Sequence, residues 1–554
     1  MTRLLGPISI IVLLAILIFT VFKNIQYPIM WGDEADTAMF AERILTYGYP
    51  KVHDAHNSLN YAMISGNVGV NEKYDAGTVS MWGQYYFTAI GAALARRVDD
   101  FYLKTAMLRI PHAVLGLLGI LILPFSITPL IKDRNKKLLF WIIYLVFIIL
   151  SISLLLHIKQ VRSYALSVFF SSLFLIIFTR FYFFKSLGRL AYYILGTITL
   201  FLLVNSFPPG FLSLIVSVGL YVLLSNFRKT KKSSEIGAIK QAFKDLLPGV
   251  IVSFLMLPIL KFFGTSQVSS RAYADIGFGL RLYLSYIERV VRFLFYYHFF
   301  SILIFMVAIL LFIRTKSTSV SFFKLVEGFV SKEKVFSFML FILVAYIPVV
   351  AFTPYMFDRY FIFLQPLTSL LIAYSFVIFL SKLSIVKDKD KRTNFILLVI
   401  YGLFLLFSIN MIFKFDIIRS RLYELTHKFY GPMDYIVKYL ADSYDNTREL
   451  TIDTNIEQPV LIYYLGSRVI CDDSSECYSE PSDILIPRRG YLKDEFASRI
   501  DRQMNQASYA KVQLPVLDYP ANNIPEFSLG LRHLFKTPTT DDPNEMVFLY
   551  VKEK

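Results

Sequence analysis

Several familiar catalytic signatures are missing from this chain. It holds no Gly-rich phosphate loop, no nucleophile elbow and no H-E-x-x-H helix, so P-loop, hydrolase-elbow and zincin chemistry have no foothold in it. Charge is scarce: 18% of residues are charged, where soluble domains carry about a quarter. Cysteine is scarcer, with Cys471 and Cys477 alone among 554 residues, and two thiols by themselves make no case for a structural zinc site. No repeat relates one half of the chain to the other, as it often does in transporters. No small-x-small cleavage site follows the apolar run at residues 4–22. That predicts a retained first span rather than a removed signal.

What fills the chain instead is apolar: 55% hydrophobic, 16% aromatic, mean hydropathy +0.53. The apolar residues gather in stretches about the length that crosses a ~30 Å hydrocarbon core as helix. The pattern predicts about eleven spans, near residues 5–22, 108–130, 139–156, 164–184, 190–205, 208–225, 246–263, 293–313, 335–352, 360–381 and 393–413. One alternate set of connections, including "KDRNKK", "FRKTKK" and "KDKDKR", carries 23 Lys/Arg against 7 Asp/Glu. That excess equals the whole chain's net charge of +16, so everything else is neutral. Such asymmetry is the positive-inside signature. It predicts a multi-pass protein of the inner or plasma membrane, N-terminus cytoplasmic and C-terminal part outside. The basic charge is topological and no sign of a nucleic-acid partner.

Two outer segments are long. One, residues 23–105, joins the first two spans. The other, 414–554, turns abruptly to the composition of a soluble domain, so the division expected is a membrane domain at 1–413 and an outer domain at 414–554. The tail opens on an amphipathic stretch, "RSRLYELTHKFYGPMDYIVKYLADS", followed by strand-like "ELTIDT", "SRVICDD", "SDILIPRR", "AKVQLPVLDY" and "EMVFLYVKE". This alternation predicts a small α/β domain. Cys471 and Cys477 lie in it, either as a local disulfide on the oxidising face or as unlinked thiols. A third outer loop, 264–292, carries Arg271, Arg281, Glu288 and Arg289.

In the first loop, "GDEADTAMFAERILTYG" predicts a helix along the membrane surface. Ala35, Met39, Ile44 and Leu45 recur at helical spacing, and Gly48 with Pro50 stops the helix. Asp33 stands where an N-cap would, with Glu34 and Asp36 in the first turn, where acids suit the helix dipole. Glu72, Lys73 and Asp75 precede a second surface helix in "NVGVNEKYDAGTVSMWGQYYFTAIGAALARR". Trp31 and Trp82 suit the headgroup level. Then Arg109 and Pro111 of "LRIPHAVLGLLGIL" open the second span. His53 and His56 of "HDAH", near Asp54 and Asp75, read as surface residues or as ligands of a divalent cation.

This order of parts resembles the GT-C superfamily of polyprenyl-phosphate-sugar glycosyltransferases, its aminoarabinose transferase and protein O-mannosyltransferase branch in particular. The parts are a first span, D-E at the start of a helix ending in Gly, an aromatic-rich second surface helix and an R-x-P opening to a span. Two later stretches are similar as well: "HIKQVRSYALSVFF", with Arg162 before Tyr164, and "TPYMFDRYFIFLQPLTSLLIAYSF", with Arg359, Tyr360 and Pro366. The resemblance covers about residues 1–410 in architecture, and about thirty residues in motif. Many members carry a Pro-rich segment with a Lys or His where this chain has "EKYDAGTVSMWG". Lys73 is the residue at hand for that role.

The resemblance implies a GT-C-like polytopic α-helical membrane protein with a surface-helix outer loop and an extracytoplasmic α/β cap. It implies transfer of a hexose or pentose from a polyprenyl-phosphate donor to a lipid, glycan or protein acceptor, with inversion. Such a reaction needs a base, cations for the leaving phosphate and shelter from water. Asp33 is the candidate base, and Glu34 either orients the acceptor or is solvated. For the phosphate the candidates are Lys73, Arg162, Arg359 and Tyr360, with Lys159, Arg281 and Arg289 on the same face and Glu72, Asp75 and Arg271 as further site residues. For any single Arg the competing reading is interfacial snorkelling, or a pairing such as Asp358 with Arg359. No cofactor is required, although a divalent ion occurs in oligosaccharyltransferases of the superfamily. Two other functions compete. A lipid-linked sugar flippase predicts ionisable residues within spans and pseudo-symmetric halves, and here charges lie mostly at span ends. An envelope scaffold predicts that Asp33 is only a cap.

Overall fold

A helix forms at each of the eleven apolar stretches, because a backbone in hydrocarbon must satisfy its own hydrogen bonds. The computed structural model describes residues 2–54, 56–57, 69–229, 235–265, 270, 272–274, 276–315, 333–354, 356–383, 389–469, 481–488, 494–519 and 539–553. Cys471, Cys477 and Arg271 lie outside them. The first helices are α1 (Thr2–Phe22), α2 (Gly32–Tyr47), α3 (Gly83–Ala95), α4 (Phe101–Ile122), α5 (Arg134–Leu150), α6 (Ile152–Ile158), α7 (Tyr164–Tyr182), α8 (Arg189–Ser206) and α9 (Pro208–Lys229). The later apolar helices are Leu247–Phe262, Phe300–Thr315, Lys334–Val350, Leu364–Leu383 and Lys389–Phe413. Among the described residues six helices are by themselves long and apolar enough to cross a bilayer, and eight spans result if each of two bent pairs counts as one.

Three boundaries differ from the sequence pattern. The second span begins at Phe101, where Asp100 caps the helix by accepting the Leu103 N–H at 2.7 Å. Arg109 and Pro111 therefore sit two turns inside α4 instead of opening it. The third stretch breaks at Ser151, and α6 turns away from α5 as a separate short helix. The stretch at 293–313 is cornered: Leu280–Tyr296 meets Phe300–Ile313 at 86°.

Two hydrophobic cores organise the molecule. One runs through the spans, from Leu17 of α1 to Tyr374 and Val399 of the late helices. The other joins α2, α3 and the first turns of α4 to the tail, with Ala38, Phe40 and Tyr85 packed in one cluster with Ile436, Val460 and Ile484. The tail's five predicted strands are β3 (Thr451–Thr454), β4 (Arg468–Val469), β5 (Ile484–Ile486), β6 (Tyr509–Leu517) and β7 (Met546–Lys552), after a two-stranded β1 (Val70–Asn71) and β2 (Ala76–Gly77) in the first loop. They make one sheet of order β4-β3-β5-β7-β6. The neighbours of β3 run parallel to it and β7 runs antiparallel to both its partners. The parallel β3–β4 pair needs a crossover, and the helix Gln458–Leu465 that supplies it packs on α2. Backbone donors of the first loop finish the contact: Ile29 N–H donates to Asp434 Oδ1 at 3.1 Å and Met30 N–H to the Tyr464 hydroxyl at 3.2 Å. Asn57 bonds Ser467 O and the Val469 N–H, at 2.9 and 3.0 Å. The tail and the first loop thus share a core and its polar rim.

Candidate active site

Helix α2 is enclosed by protein. Residues 34–41 are all buried, between α3 on one side and the tail's crossover helix on the other. Its small residues Ala35, Ala38 and Ala41 allow close approach on more than one face. Its polar residues are buried because each meets a partner on a third element. The N-cap is Trp31, extended and with no side-chain cap bond, which corrects the assignment of that position to Asp33. Asp33 is the second helical residue. The stop is as expected: Gly48 takes φ 83° and donates its N–H to Ile44 O at 2.8 Å, a left-handed conformation that suits glycine. Trp31 is buried beneath Arg359, with the guanidinium carbon 5.3 Å from a ring centroid, and is no headgroup anchor.

The adjacent acids diverge. Glu34 is fully buried in a fork with Arg109, whose Nε and Nη2 donate to its two oxygens at 2.9 and 2.6 Å. It also accepts the Val161 N–H at 2.9 Å, while Arg109 Nη1 donates to the carbonyls of Ile25 and Pro28 at 3.0 and 2.8 Å. Every group in this pair is used, as a buried ion pair requires. It ties α2 to α4 and to the turn before α7.

Asp33 faces the other way. Its Oδ2 lies 3.6 Å from Arg162 Nη2 and 3.4 Å from Arg359 Nη2, both beyond ordinary hydrogen-bond length. Arg162 Nη1 donates to Asp33 O at 3.2 Å and Thr37 Oγ1 at 3.0 Å. Burial lowers the affinity of Arg162 for its proton, but Asp33 together with Tyr164, Tyr85 and Asp36 more than offsets this and the net shift is upward. One turn along, Asp36 Oδ2 is 4.0 Å from Arg162 Nη1, and its Oδ1 has no hydrogen-bond partner among the described residues. Burial pushes Asp36 up to about 8, against the pull of Arg162 and with the help of Asp33. Arg162, Arg359 and Asp33 together carry one surplus positive charge while Asp36 keeps its proton.

The two guanidinium groups form part of the wall of a cavity of about 280 Å³. The rest comes from residues 78–81 and Gln84 at the start of α3, Ser163 and Tyr164 at the start of α7, residues 206–209 between α8 and α9, and Phe263, Thr265 and Tyr360. Of the sequence candidates, Arg162, Arg359 and Tyr360 line it, and Asp33 reaches it through the two arginines. The others are elsewhere. Lys73 is exposed, its Nζ 5.1 Å from the Tyr74 ring centroid, and Glu72 is exposed beside it. Asp75, at φ 50°, accepts the His53 N–H at 3.2 Å and holds its ring Nδ1 at 2.5 Å. His56 Nε2 meets Gly466 O at 3.0 Å, so the two histidines face different partners. Lys159 is buried, and burial and then Arg109 bring it down to about 8. Arg281 is exposed, and Arg289 pairs with Asp358 at 3.0 Å. Asp36 and Gln84 belong to the site although the sequence marks neither as chemical. Asp36 reads there as a dipole-stabilising acid and Gln84 as an unremarkable helix residue.

No family model matches the chain, and no curated protein sequence matches it either. Solved structures do. The crystal structure of ArnT from Cupriavidus metallidurans bound to undecaprenyl phosphate aligns over 98% of this chain and 97% of its own, at 10% identity and a TM-score of 0.50. The apo form aligns over 99% and 98%, at 9% identity and a TM-score of 0.47. The chain thus shares the fold of the undecaprenyl-phosphate-bound structure over nearly the full length of both chains, a many-helix fold with an α/β tail as anticipated from the sequence.

Proposed function

We propose that this chain is an integral-membrane glycosyltransferase. It takes a sugar from a polyprenyl-phosphate donor at the extracytoplasmic face and passes it to a lipid, glycan or protein acceptor. The observation that carries the reading is the convergence of Arg162 and Arg359 on one cavity beside Asp33, with a positive charge to spare. The undecaprenyl phosphate bound by a protein of the same fold supports the choice of donor. In the reaction the acceptor oxygen bonds to the anomeric carbon as the bond from that carbon to the phosphate oxygen breaks. The phosphate leaves with the bonding electrons, and the acceptor's proton goes to Asp33. Attack opposite the leaving group inverts the anomeric centre. Guanidinium forks suit phosphate oxygens, and as they turn to the phosphate they release the Asp33 carboxylate for the proton. Glu34 has no free oxygen for the acceptor, so its part is to hold α2 in place.

The test is mass spectrometry of envelope lipids, glycans and glycoproteins from deletion, wild-type and Arg162→Ala/Arg359→Ala strains. The deletion strain is expected to lack a hexose- or pentose-sized increment, and the double variant to fail to restore it. No difference on deletion rejects the enzyme in favour of a scaffold. Full restoration by the double variant rejects the phosphate assignment.

The state of Asp36 makes donor binding pH-dependent. The unfolded carboxyl loses its proton near its ordinary pKa of ~3.9, and the folded one near 8. Between these values the folded state holds the extra proton, so this group's contribution to stability falls as pH rises from about 4 to about 8. Above pH 8 the second carboxylate cancels the surplus charge of the cluster. The donor KM is expected to rise severalfold through that pH, and Asp36→Asn to hold the low-pH KM throughout. A wild-type KM that stays flat to pH 9 would refute this.

A further inference from the structure

Arg162 and Arg359 reach the same cavity but are held there by different means. Arg162 is held by hydrogen bonds, its Nη1 donating to Asp33 O at 3.2 Å and to Thr37 Oγ1 at 3.0 Å. Arg359 lies over two aromatic rings. Its guanidinium carbon is 4.3 Å from the Phe357 ring centroid and 5.3 Å from a Trp31 ring centroid. Both distances fall inside the ~6 Å at which a ring face attracts a cation. Asp33 Oδ2 is 3.4 Å from Arg359 Nη2, beyond ordinary hydrogen-bond length.

Neither ring stands where local structure asks for one. Trp31 is the N-cap of α2 and makes no side-chain cap bond, at a position where Ser, Thr, Asp or Asn would stabilise the helix start. Phe357 is extended before the short helical turn Asp358–Phe361, again with no cap bond, and is 36% exposed. An aromatic in place of a cap gives up local stability, and such departures gather at functional sites. Here the two rings, from elements more than 300 residues apart in the chain, meet the same guanidinium. Trp31 is two residues from Asp33, and Phe357 two residues from Arg359.

How a guanidinium is held decides what it can still do. A carboxylate fork fixes it through its N–H donors, as Glu34 fixes Arg109. A ring face attracts the positive charge itself and takes none of those donors, so the attraction survives when the N–H groups change partner.

We infer that Trp31 and Phe357 are positioning residues for the donor phosphate: their rings seat the Arg359 guanidinium at the cavity wall while its N–H groups exchange Asp33 for the phosphate. The inference rests on the proposed polyprenyl-phosphate donor and adds what fixes one of its two cationic contacts.

The test is binding of a short-chain polyprenyl phosphate to the purified full-length protein in lipid nanodiscs. Phe357→Leu, a change at an exposed position, is expected to weaken binding by about 3–10-fold, the scale of one cation–π contact. Phe357→Tyr is expected to bind as the wild type does. Trp31→Leu should show a similar loss, and Trp31→Phe should recover most of it. The decisive comparison is made in an Arg359→Ala background, where Arg162 still supports binding and Phe357→Leu should cost nothing further. A ring that serves packing alone costs the same with Arg359 or without it. Wild-type affinity in Phe357→Leu overturns the inference. So does an equal loss in Phe357→Tyr, or a loss that persists in the Arg359→Ala background. No binding by the wild type defeats the donor assignment instead, so the two failures are distinct. The Phe357 series decides the matter whether or not Trp31→Leu folds.

Discussion

Asp33→Asn is expected to leave the protein folded and membrane-inserted while lowering sugar transfer by about 10²–10⁴-fold, the usual range for a lost general base. The fold should tolerate it because, among the described residues, the Asp33 side chain makes only the two long ion pairs, at 3.4 and 3.6 Å. Its structural bonds, from Arg162 and Thr37, go to its backbone carbonyl. The kinetic signature is specific. Removing the carboxylate leaves both guanidinium charges uncompensated, so the donor phosphate should bind as tightly as before or more tightly. The loss should therefore fall on kcat, with the donor KM unchanged or reduced. Purified wild-type and Asn variants, compared for transfer rate and donor KM, check this. A variant that retains transfer means Asp33 is not the base. A loss confined to KM means that it serves the phosphate site.

The neighbouring acid should behave in the opposite way. Glu34→Ala leaves Arg109 buried and charged with its fork empty, and breaking a buried pair from one side costs roughly 3–5 kcal/mol. That is a large part of the ~5–15 kcal/mol by which proteins are ordinarily stable. The expected result is a sharp fall in folded yield and thermal stability in detergent. Arg109→Leu should be similarly harmful, because it strands the Glu34 carboxylate, which also accepts the Val161 N–H. Replacing both, as Glu34→Leu/Arg109→Leu, should recover much of the loss, since no charge is then left unpaired. Thermal unfolding of the three variants measures it. A Glu34→Ala protein of wild-type stability would mean that the fork does not hold α2.

The two substitutions separate residues that the sequence sets side by side. A hydropathy pattern specified helix at each of the eleven apolar stretches because a backbone in lipid has to satisfy its own hydrogen bonds, a local requirement. Alternation specified the tail's strands for a similarly local reason. Gly48 marked the end of α2 because a left-handed turn asks for glycine wherever it occurs. The burial of α2 was hidden because its second and third faces are covered by partners far along the chain. The same holds within the site. Arg162 and Arg359 were marked by their place at the mouths of spans beside aromatics, but their meeting on Asp33 depends on three distant elements packing together.

The sequence alone thus determined a multi-span helical protein with an α/β cap, and placed an acidic pair after its first span. Only the tertiary structure decided what each acid meets. Successive residues on an α-helix point about 100° apart, so two adjacent carboxylates must face different neighbours. Which neighbour each one meets was set by α4, 75 residues on from Glu34, and by the turn before α7, 129 residues on from Asp33. Glu34 met a fork that uses all its oxygens. Asp33 met two arginines at a cavity, held loosely enough to let go.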